Sequence, residues 1–163
     1  MLKPKMEKML NEQINKEFYA SYLYLDMAAK CSEMGRPGFA KWFKLQAKEE
    51  IEHAMKIYSY IHEQGGNVKL DAIDKPNVGE SAIKDLFEKA LEHEKYVTKS
   101  INELMDEAVK SNDYATQIFL QWFIMEQLEE ESSVQEIIDS LNNMGDSKAG
   151  LYVIGRKLYK RKE

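Results

Sequence analysis

The stretch Glu49-Glu50-Ile51-Glu52-His53 lies midway along residues 39–64, a segment without glycine or proline that is typical of one long helix. Glu50 and His53 are three positions apart, so on a helix their side chains project from neighbouring points of one face. A carboxylate oxygen and an imidazole nitrogen placed in this way can bind one metal ion. Most such pairs are solvated surface residues, so this pair predicts a metal site only if other helices supply further ligands.

Helix-favouring residues dominate the rest of the chain as well. The 163 residues include only eight glycines and three prolines, and most of these stand where a helix would end. Turn signals occur at Gly35-Arg36-Pro37-Gly38, Gly65-Gly66, Pro76 to Gly79, Ser111-Asn112-Asp113 and Gly145-Asp146-Ser147. They predict helices at about residues 5–34, 39–64, 81–110, 114–142 and 149–159.

The lengths of these segments predict a topology. Each of the four long helices spans roughly 40 Å, and the short turns make the first and second pairs antiparallel. The irregular segment 66–79 has about 14 residues and covers roughly 45 Å when extended, enough to run the length of a bundle. We therefore expect an all-α fold in a single domain, residues 1–163, with a four-helix bundle, one long crossover and a short C-terminal fifth helix.

Alternating spacings of four and three residues define the core-facing seam of each long helix. Each seam is mostly apolar but carries one glutamate near its middle, roughly 18–24 Å from a bundle end. These four residues, Glu17, Glu50, Glu94 and Glu130, are called the seam glutamates. The seams are positions 10, 14, 17, 21, 24 and 28; 43, 47, 50, 54, 57 and 61; 83, 87, 90, 94, 97, 101, 104 and 108; and 120, 123, 127, 130, 134, 137 and 141.

Four carboxylates in an apolar interior would repel one another, and each would carry several kcal/mol of desolvation cost. They could protonate, but a bound multivalent cation would offset their charge better, and oxygen ligands with one imidazole suit Fe(II), Mn(II) or Zn(II). For any single helix the alternative is a seam misread by one residue, which would place its glutamate on the solvated flank. The coincidence across four helices favours the buried metal site.

Composition disfavours several other classes of function. The net charge is −5, the pI is near 5.4, and there is no clustered basic patch beyond Lys157–Lys162, which argues against nucleic-acid binding. Cys31 is the only cysteine, so neither an intrachain disulfide nor a thiolate metal site is expected. No apolar signal core or membrane span is present, and we expect a cytoplasmic protein with no membrane partner.

Over essentially the whole chain the sequence resembles the bacterial non-haem ferritins. The resemblance rests on Leu2-Lys3-Pro4, Leu10-Asn11-Glu12-Gln13, Gln46-Ala47-Lys48-Glu49-Glu50, Asn112-Asp113-Tyr114, Phe119-Leu120-Gln121-Trp122, Glu126-Gln127-Leu128-Glu129-Glu130-Glu131 and Gly150-Leu151-Tyr152. It implies a ferritin-like bundle with a diiron ferroxidase centre, which oxidises Fe(II) with O₂ or H₂O₂. The Fe(III) would be stored as a hydrous ferric oxide mineral inside a hollow homo-oligomeric shell of 24 subunits.

The resemblance also implies the iron ligands. One site would use Glu17, Glu50 and His53, and the second would use Glu94 and Glu130, with Glu50 bridging both. A third iron position would draw on Glu49, Glu126, Glu129 and Glu130. Gln127 and Tyr24 would lie beside these ligands. Seam spacing also places Gln127 on the inward face, whereas Tyr24 is either a core aromatic with a satisfied hydroxyl or a phenol that orients a ligand or donates an electron.

Two departures point away from haem-binding relatives. Bacterioferritin-like chains carry a second Glu-x-x-His on the fourth helix, where this chain has Gln127-x-x-Glu130. They also carry a haem-binding methionine directly after the second-helix glutamate, where this chain has Ile51. We therefore expect no haem, and we expect Met55 and the other methionines to fill the core. His62 and His93 lie off the ligand face and are expected to be surface or packing residues.

The apolar residues of the fifth helix, Leu151, Val153, Ile154 and Leu158, predict a further contact, which the resemblance places around a fourfold axis between subunits. The same bundle has two alternative functions. A rubrerythrin-like peroxide reductase usually couples its bundle to a Cys₄ iron domain, which one cysteine cannot build. A bundle that only binds a protein partner leaves the seam glutamates unexplained. The sequence therefore favours an iron-storing ferroxidase.

Overall fold

The computed structural model describes residues 1–144 and 147–162, and within them the regular secondary structure consists of five α-helices without strands. The helices are α1 Pro4–Glu33, α2 Pro37–Glu63, α3 Ile83–Lys110, α4 Tyr114–Met144 and α5 Lys148–Tyr159. The predicted all-α fold is confirmed. Of the predicted break at 145–147, Gly145 and Asp146 lie outside the described residues. Ser147 caps α5, because its hydroxyl accepts a hydrogen bond of 3.0 Å from the amide of Gly150.

The predicted start of the second helix is two residues too late. Pro37 forms part of the first turn of α2, as Pro4 does in α1. Proline is suited to this place because its missing N–H would have no partner in the first turn of a helix. The chain reverses just before Pro37 at Gly35, which has a φ of +68°. Only Met34, Gly35 and Arg36 therefore separate the two helices.

The crossover between α2 and α3 runs along α1. Near one end of the bundle the amide of Lys69 donates to Asn11 Oδ1 at 2.6 Å. Towards the other end the amide of Val78 donates to Asp26 Oδ2 at 3.4 Å. These contacts advance along α1 in the direction of the chain, over about 22 Å of helix. The predicted crossover along the bundle is therefore confirmed. It makes α2 and α3 parallel and brings the middles of all four long helices to one level.

The core consists of two apolar clusters with a polar layer between them. All the predicted seam positions are buried. One cluster contains Tyr24, Phe43 and Phe87, and the other contains Leu10 and Leu104. In each of the four helices the seam glutamate lies between the residues that enter the two clusters. The polar layer is therefore enclosed at both ends by apolar packing.

The expectation that the methionines fill the core is wrong in part. Met6 and Met27 are buried, but Met55 is 44% exposed. Met55 lies one turn after Ile51, which is also 44% exposed, so both lie on a flank of α2 that faces away from the seam. Helical spacing therefore separates Met55 from the core.

Helix α5 packs against the end of its own bundle. Ile154 is buried, and Leu151 and Leu158 pack against the cluster that contains Phe43, whereas Val153 is exposed. The contact with α2 is close: a Cβ atom added at Gly38 would lie 1.9 Å from the carbonyl oxygen of Gly155. Three of the four apolar residues named for α5 thus pack against the rest of the chain.

We expect the substitution Gly38→Ala to lower the free energy of unfolding by about 1–3 kcal/mol, because the new methyl group forces α5 away from α2. The measurement is the thermal unfolding midpoint followed by circular dichroism. Gly155→Ala is the matched control on the other side of the contact, since its Cβ would lie 3.4 Å from the Phe39 ring, an ordinary packing distance. Equal midpoints for the two variants would contradict the tight contact.

Candidate metal centre

The polar layer brings together the seam glutamates from four helices and His53 from α2. Glu17 and Glu94 are each 1% exposed, Glu50 2%, His53 4% and Glu130 5%. The four glutamates reach this layer because each stands at an inward-facing position of its apolar seam, and His53 reaches it because it lies about one turn after Glu50. The protein thus encloses four acidic groups and one imidazole at the middle of the bundle.

One metal-competent group consists of Glu17, Glu50 and His53. One potential ligand atom from each residue lies within 4.8 Å of the other two. His53 Nδ1 is 3.4 Å from a carboxylate oxygen of Glu50 and 4.0 Å from Oε2 of Glu17. This Glu17 oxygen is buried and has no hydrogen-bond partner among the described residues. A buried acceptor left without a donor is costly, and a cation bound by the three residues would satisfy it.

Glu94 and Glu130 are held by hydrogen bonds from neutral side chains. The hydroxyl of Tyr24 and the amide of Gln127 both donate to Glu94, the latter at 3.0 Å. The amide of Gln46 donates to Glu130 at 2.6 Å. The Tyr24 hydroxyl therefore has a partner, and Gln127 contacts the layer through Glu94. These donors orient the carboxylates but do not neutralise their charge.

Two buried glutamine donors were not predicted from the sequence. Gln13 donates to Glu17 at 2.7 Å and Gln46 donates to Glu130, and both glutamines are 1% exposed. Each stands four residues before a seam glutamate of its own helix, a spacing that places it on the inward face. That spacing was a usable signal for buried donors. The spacing could not show that Gln46 donates to Glu130 on α4 rather than to Glu50 on its own helix.

Burial governs the electrostatics of the layer. It raises the pKa of Glu50 well above its usual range, and repulsion from Glu94 and Glu17 adds to the effect. It raises the pKa of Glu94 to about 7, although the hydrogen bonds from Tyr24 and Gln127 act in the opposite direction. It also raises the pKa of Glu130 to about 8, with repulsion from Glu94 next in size. A bound multivalent cation would favour the ionised carboxylates and displace their protons.

A second metal-competent group adjoins the first and shares His53 with it. His53, Glu126 and Glu130 offer ligand atoms within 4.8 Å of one another, and His53 Nε2 is 3.8 Å from Glu126 Oε1. The imidazole therefore faces Glu17 and Glu50 with one nitrogen and Glu126 with the other. Its ring is held by edge contacts to Trp122 and Phe123.

Of the four residues expected at a third iron position, the structure brings Glu126 and Glu130 together. Glu49 is bonded to Arg161 at 2.9 Å, and Glu129 is exposed on the surface of α4. Neither belongs to a metal-competent group of three within residues 1–144 and 147–162. The sequence carries no signal for the contact with Arg161, which joins residues 112 positions apart.

A family model described as a ferritin-like domain matches residues 7–144. The chain belongs to the ferritin family. It is 40% identical to the bacterial non-heme ferritin of Campylobacter jejuni over 94% of this chain and 92% of the relative. It is 43% identical to that of Staphylococcus saprophyticus over 99% of this chain and 96% of the relative. An open pore ferritin from the archaeon Archaeoglobus fulgidus superimposes with a TM-score of 0.97 at 41% identity, covering 99% of this chain and 100% of the other.

Family membership and the solved ferritin structures support a role of this ferritin in iron storage, and its buried carboxylate–imidazole group places ligand atoms close enough together to hold a metal ion. The other two histidines behave as expected. His62 is exposed against the ring of Tyr58. His93 packs beside Tyr19 and Tyr96, and burial lowers its pKa to about 4. No helix of the described ferritin chain is long and apolar enough to cross a membrane.

Proposed function

We propose that this ferritin is an iron-storing ferroxidase whose diiron centre is the polar layer of the bundle. One Fe(II) is bound by Glu17, Glu50 and His53, and the other by Glu94 and Glu130, with Glu50 bridging the two. The observation that carries the proposal is the burial of four carboxylates, three of which accept hydrogen bonds from neutral side chains. With it goes an oxygen of Glu17 that faces His53 and has no hydrogen-bond partner among the described residues. Such a group is acidic, enclosed and incomplete until cations enter it.

The chemistry follows from the number of electrons. Each Fe(II) loses one electron, so a bound pair supplies the two electrons that reduce O₂ to H₂O₂, or H₂O₂ to water. The protein contributes geometry and charge. Its carboxyl groups with raised pKa release protons as Fe(II) binds, and the ionised carboxylates then favour Fe(III) over Fe(II). Tyr24 and Gln127 orient Glu94 in this reaction, since both donate hydrogen bonds to it.

The Fe(III) product then has to leave the bundle. The third iron position draws on Glu126 and Glu130, which lie together beside the first group. Glu49 and Glu129 complete it, and Fe(III) leaves the bundle through this position. The ion is then stored as a hydrous ferric oxide mineral inside a cytoplasmic shell of 24 subunits. No haem takes part. The support for the shell is the similarity to ferritins over nearly the whole chain.

Anaerobic Fe(II) titration of the metal-free protein tests the centre, because binding is then measured without oxidation. We expect saturation at two to three ions per chain, with protons released into the buffer as the carboxyl groups ionise. No saturable binding would contradict the proposed centre. Size-exclusion chromatography tests the shell separately: a monomer would contradict storage but leave the diiron centre standing.

A further inference from the structure

Arg161, just beyond the end of α5, contacts two residues that border the polar layer. Its Nη1 donates to Gln46 Oε1 at 2.6 Å, and its Nη2 lies 2.9 and 3.0 Å from the two carboxylate oxygens of Glu49. The guanidinium also lies 5.4 Å from the centre of the Trp42 ring. Three separate contacts on α2 therefore hold this one cation in place.

Gln46 transmits the contact to the polar layer. Because its amide oxygen accepts from Arg161, its amide nitrogen is turned towards Glu130, to which it donates at 2.6 Å. The arginine therefore acts on two of the carboxylates assigned to the third iron position. It pairs directly with Glu49, and it orients Glu130 through one intervening side chain.

We propose that Arg161 is a positioning residue that withholds Glu49 from the third iron position, so that the diiron pair fills first. This inference rests on the proposed function. A guanidinium paired with Glu49 competes with an entering cation for that carboxylate, and its own positive charge repels the cation. The side chains of Arg161 and Glu49 are 30% and 38% exposed, so water weakens the pair and allows it to exchange. Arg161 thus delays the third ion without excluding it.

Anchoring of α5 is a separate role that other contacts already fill. Lys41 Nζ donates to the carbonyl oxygen of Tyr159 at 2.7 Å, and Leu158 packs against the core cluster. Removal of the Arg161 side chain therefore leaves α5 docked. Its effect should appear in iron binding rather than in the fold.

The test is anaerobic titration calorimetry with Fe(II) on the full-length protein, which reads binding independently of oxidation. We expect Arg161→Ala to bind the third ion about five- to tenfold more tightly than the wild type, while the affinity for the ion held by Glu17, Glu50 and His53 is unchanged. Arg161→Lys keeps the positive charge but loses the paired contacts of the guanidinium. Its affinity for the third ion should therefore lie between those of the wild type and Arg161→Ala. Lys162→Ala is the matched control, because it removes an adjacent exposed charge and should leave the third ion at wild-type affinity.

A double-mutant cycle separates positioning from a structural role. In a Glu49→Gln background, Arg161→Ala should increase the affinity for the third ion by a smaller factor than in the wild type, since the carboxylate that Arg161 withholds is gone and only its charge and its contact with Gln46 remain. Equal third-ion affinity in wild type and Arg161→Ala would overturn the inference, as would an equal gain from Lys162→Ala. Wild-type protein that binds no Fe(II) would overturn the proposed function itself, which is a distinguishable result.

Discussion

Replacing Glu50 by alanine is expected to lower the initial rate of Fe(II) oxidation at least about 100-fold. Glu50 lies 3.4 Å from His53 Nδ1 and in one metal-competent group with Glu17, and it is the proposed bridge to the second ion. Without it each ion loses a ligand and the two are no longer joined. His53→Ala should have an effect of the same order, because His53 is the only nitrogen ligand proposed. The measurement is stopped-flow absorbance of Fe(III) after mixing with air-saturated buffer.

Glu52→Ala is the matched control for these variants. Glu52 lies two residues after Glu50 on the same helix, but it is exposed. Its removal changes the net charge by the same amount as Glu50→Ala and should leave the rate unchanged. If Glu50→Ala or His53→Ala oxidised iron at the normal rate, the centre would be wrongly placed.

The metal-free protein is expected to lose about 1.5 kcal/mol of stability between about pH 6.5 and pH 8 through Glu130 alone. Burial raises the pKa of Glu130 from an ordinary value of 4.5 to about 8 in the folded protein. The unfolded chain has therefore already lost this proton at pH 6.5, whereas the folded protein keeps it until the pH approaches 8. The stability that Glu130 contributes is fully present below its pKa in the unfolded chain and is lost as the pH rises through its pKa in the folded protein, about 8.

The range from pH 6.5 to pH 8 lies above the titration of His93. Burial lowers the pKa of His93 from 6.5 to about 4. Below about pH 6.5 the unfolded chain binds a proton at His93 and the folded protein does not. His93 therefore lowers the stability of the folded protein as the pH falls below about 6.5. Thermal unfolding in the presence of a chelator should show the fall through the higher window. Glu130→Gln should remove much of it, whereas Glu129→Gln, at the exposed neighbouring position, should keep the wild-type profile. If Glu130→Gln kept the wild-type dependence of stability on pH, the raised pKa of Glu130 would be contradicted.

Much of the fold was predictable because it depends on local periodicity and on length. The seam spacing placed Glu94 correctly among the buried residues of α3, and the length of segment 66–79 correctly predicted a crossover that spans the bundle. The prediction for the methionines was wrong in part because it used the residue type without its position on the helix. Met55 was expected in the core because it is apolar, but its spacing from Ile51 places it on an exposed flank.

The sequence by itself determined that four acidic residues meet in the middle of an apolar bundle, because a helix repeats regularly and each glutamate replaces an apolar residue in that repeat. Only the tertiary structure decided which groups surround them. His53 faces two groups of carboxylates, Gln46 donates to another helix, and Arg161 pairs with Glu49. These contacts join residues far apart in the chain. They depend on how helices and side chains dock, and no local spacing encodes that arrangement.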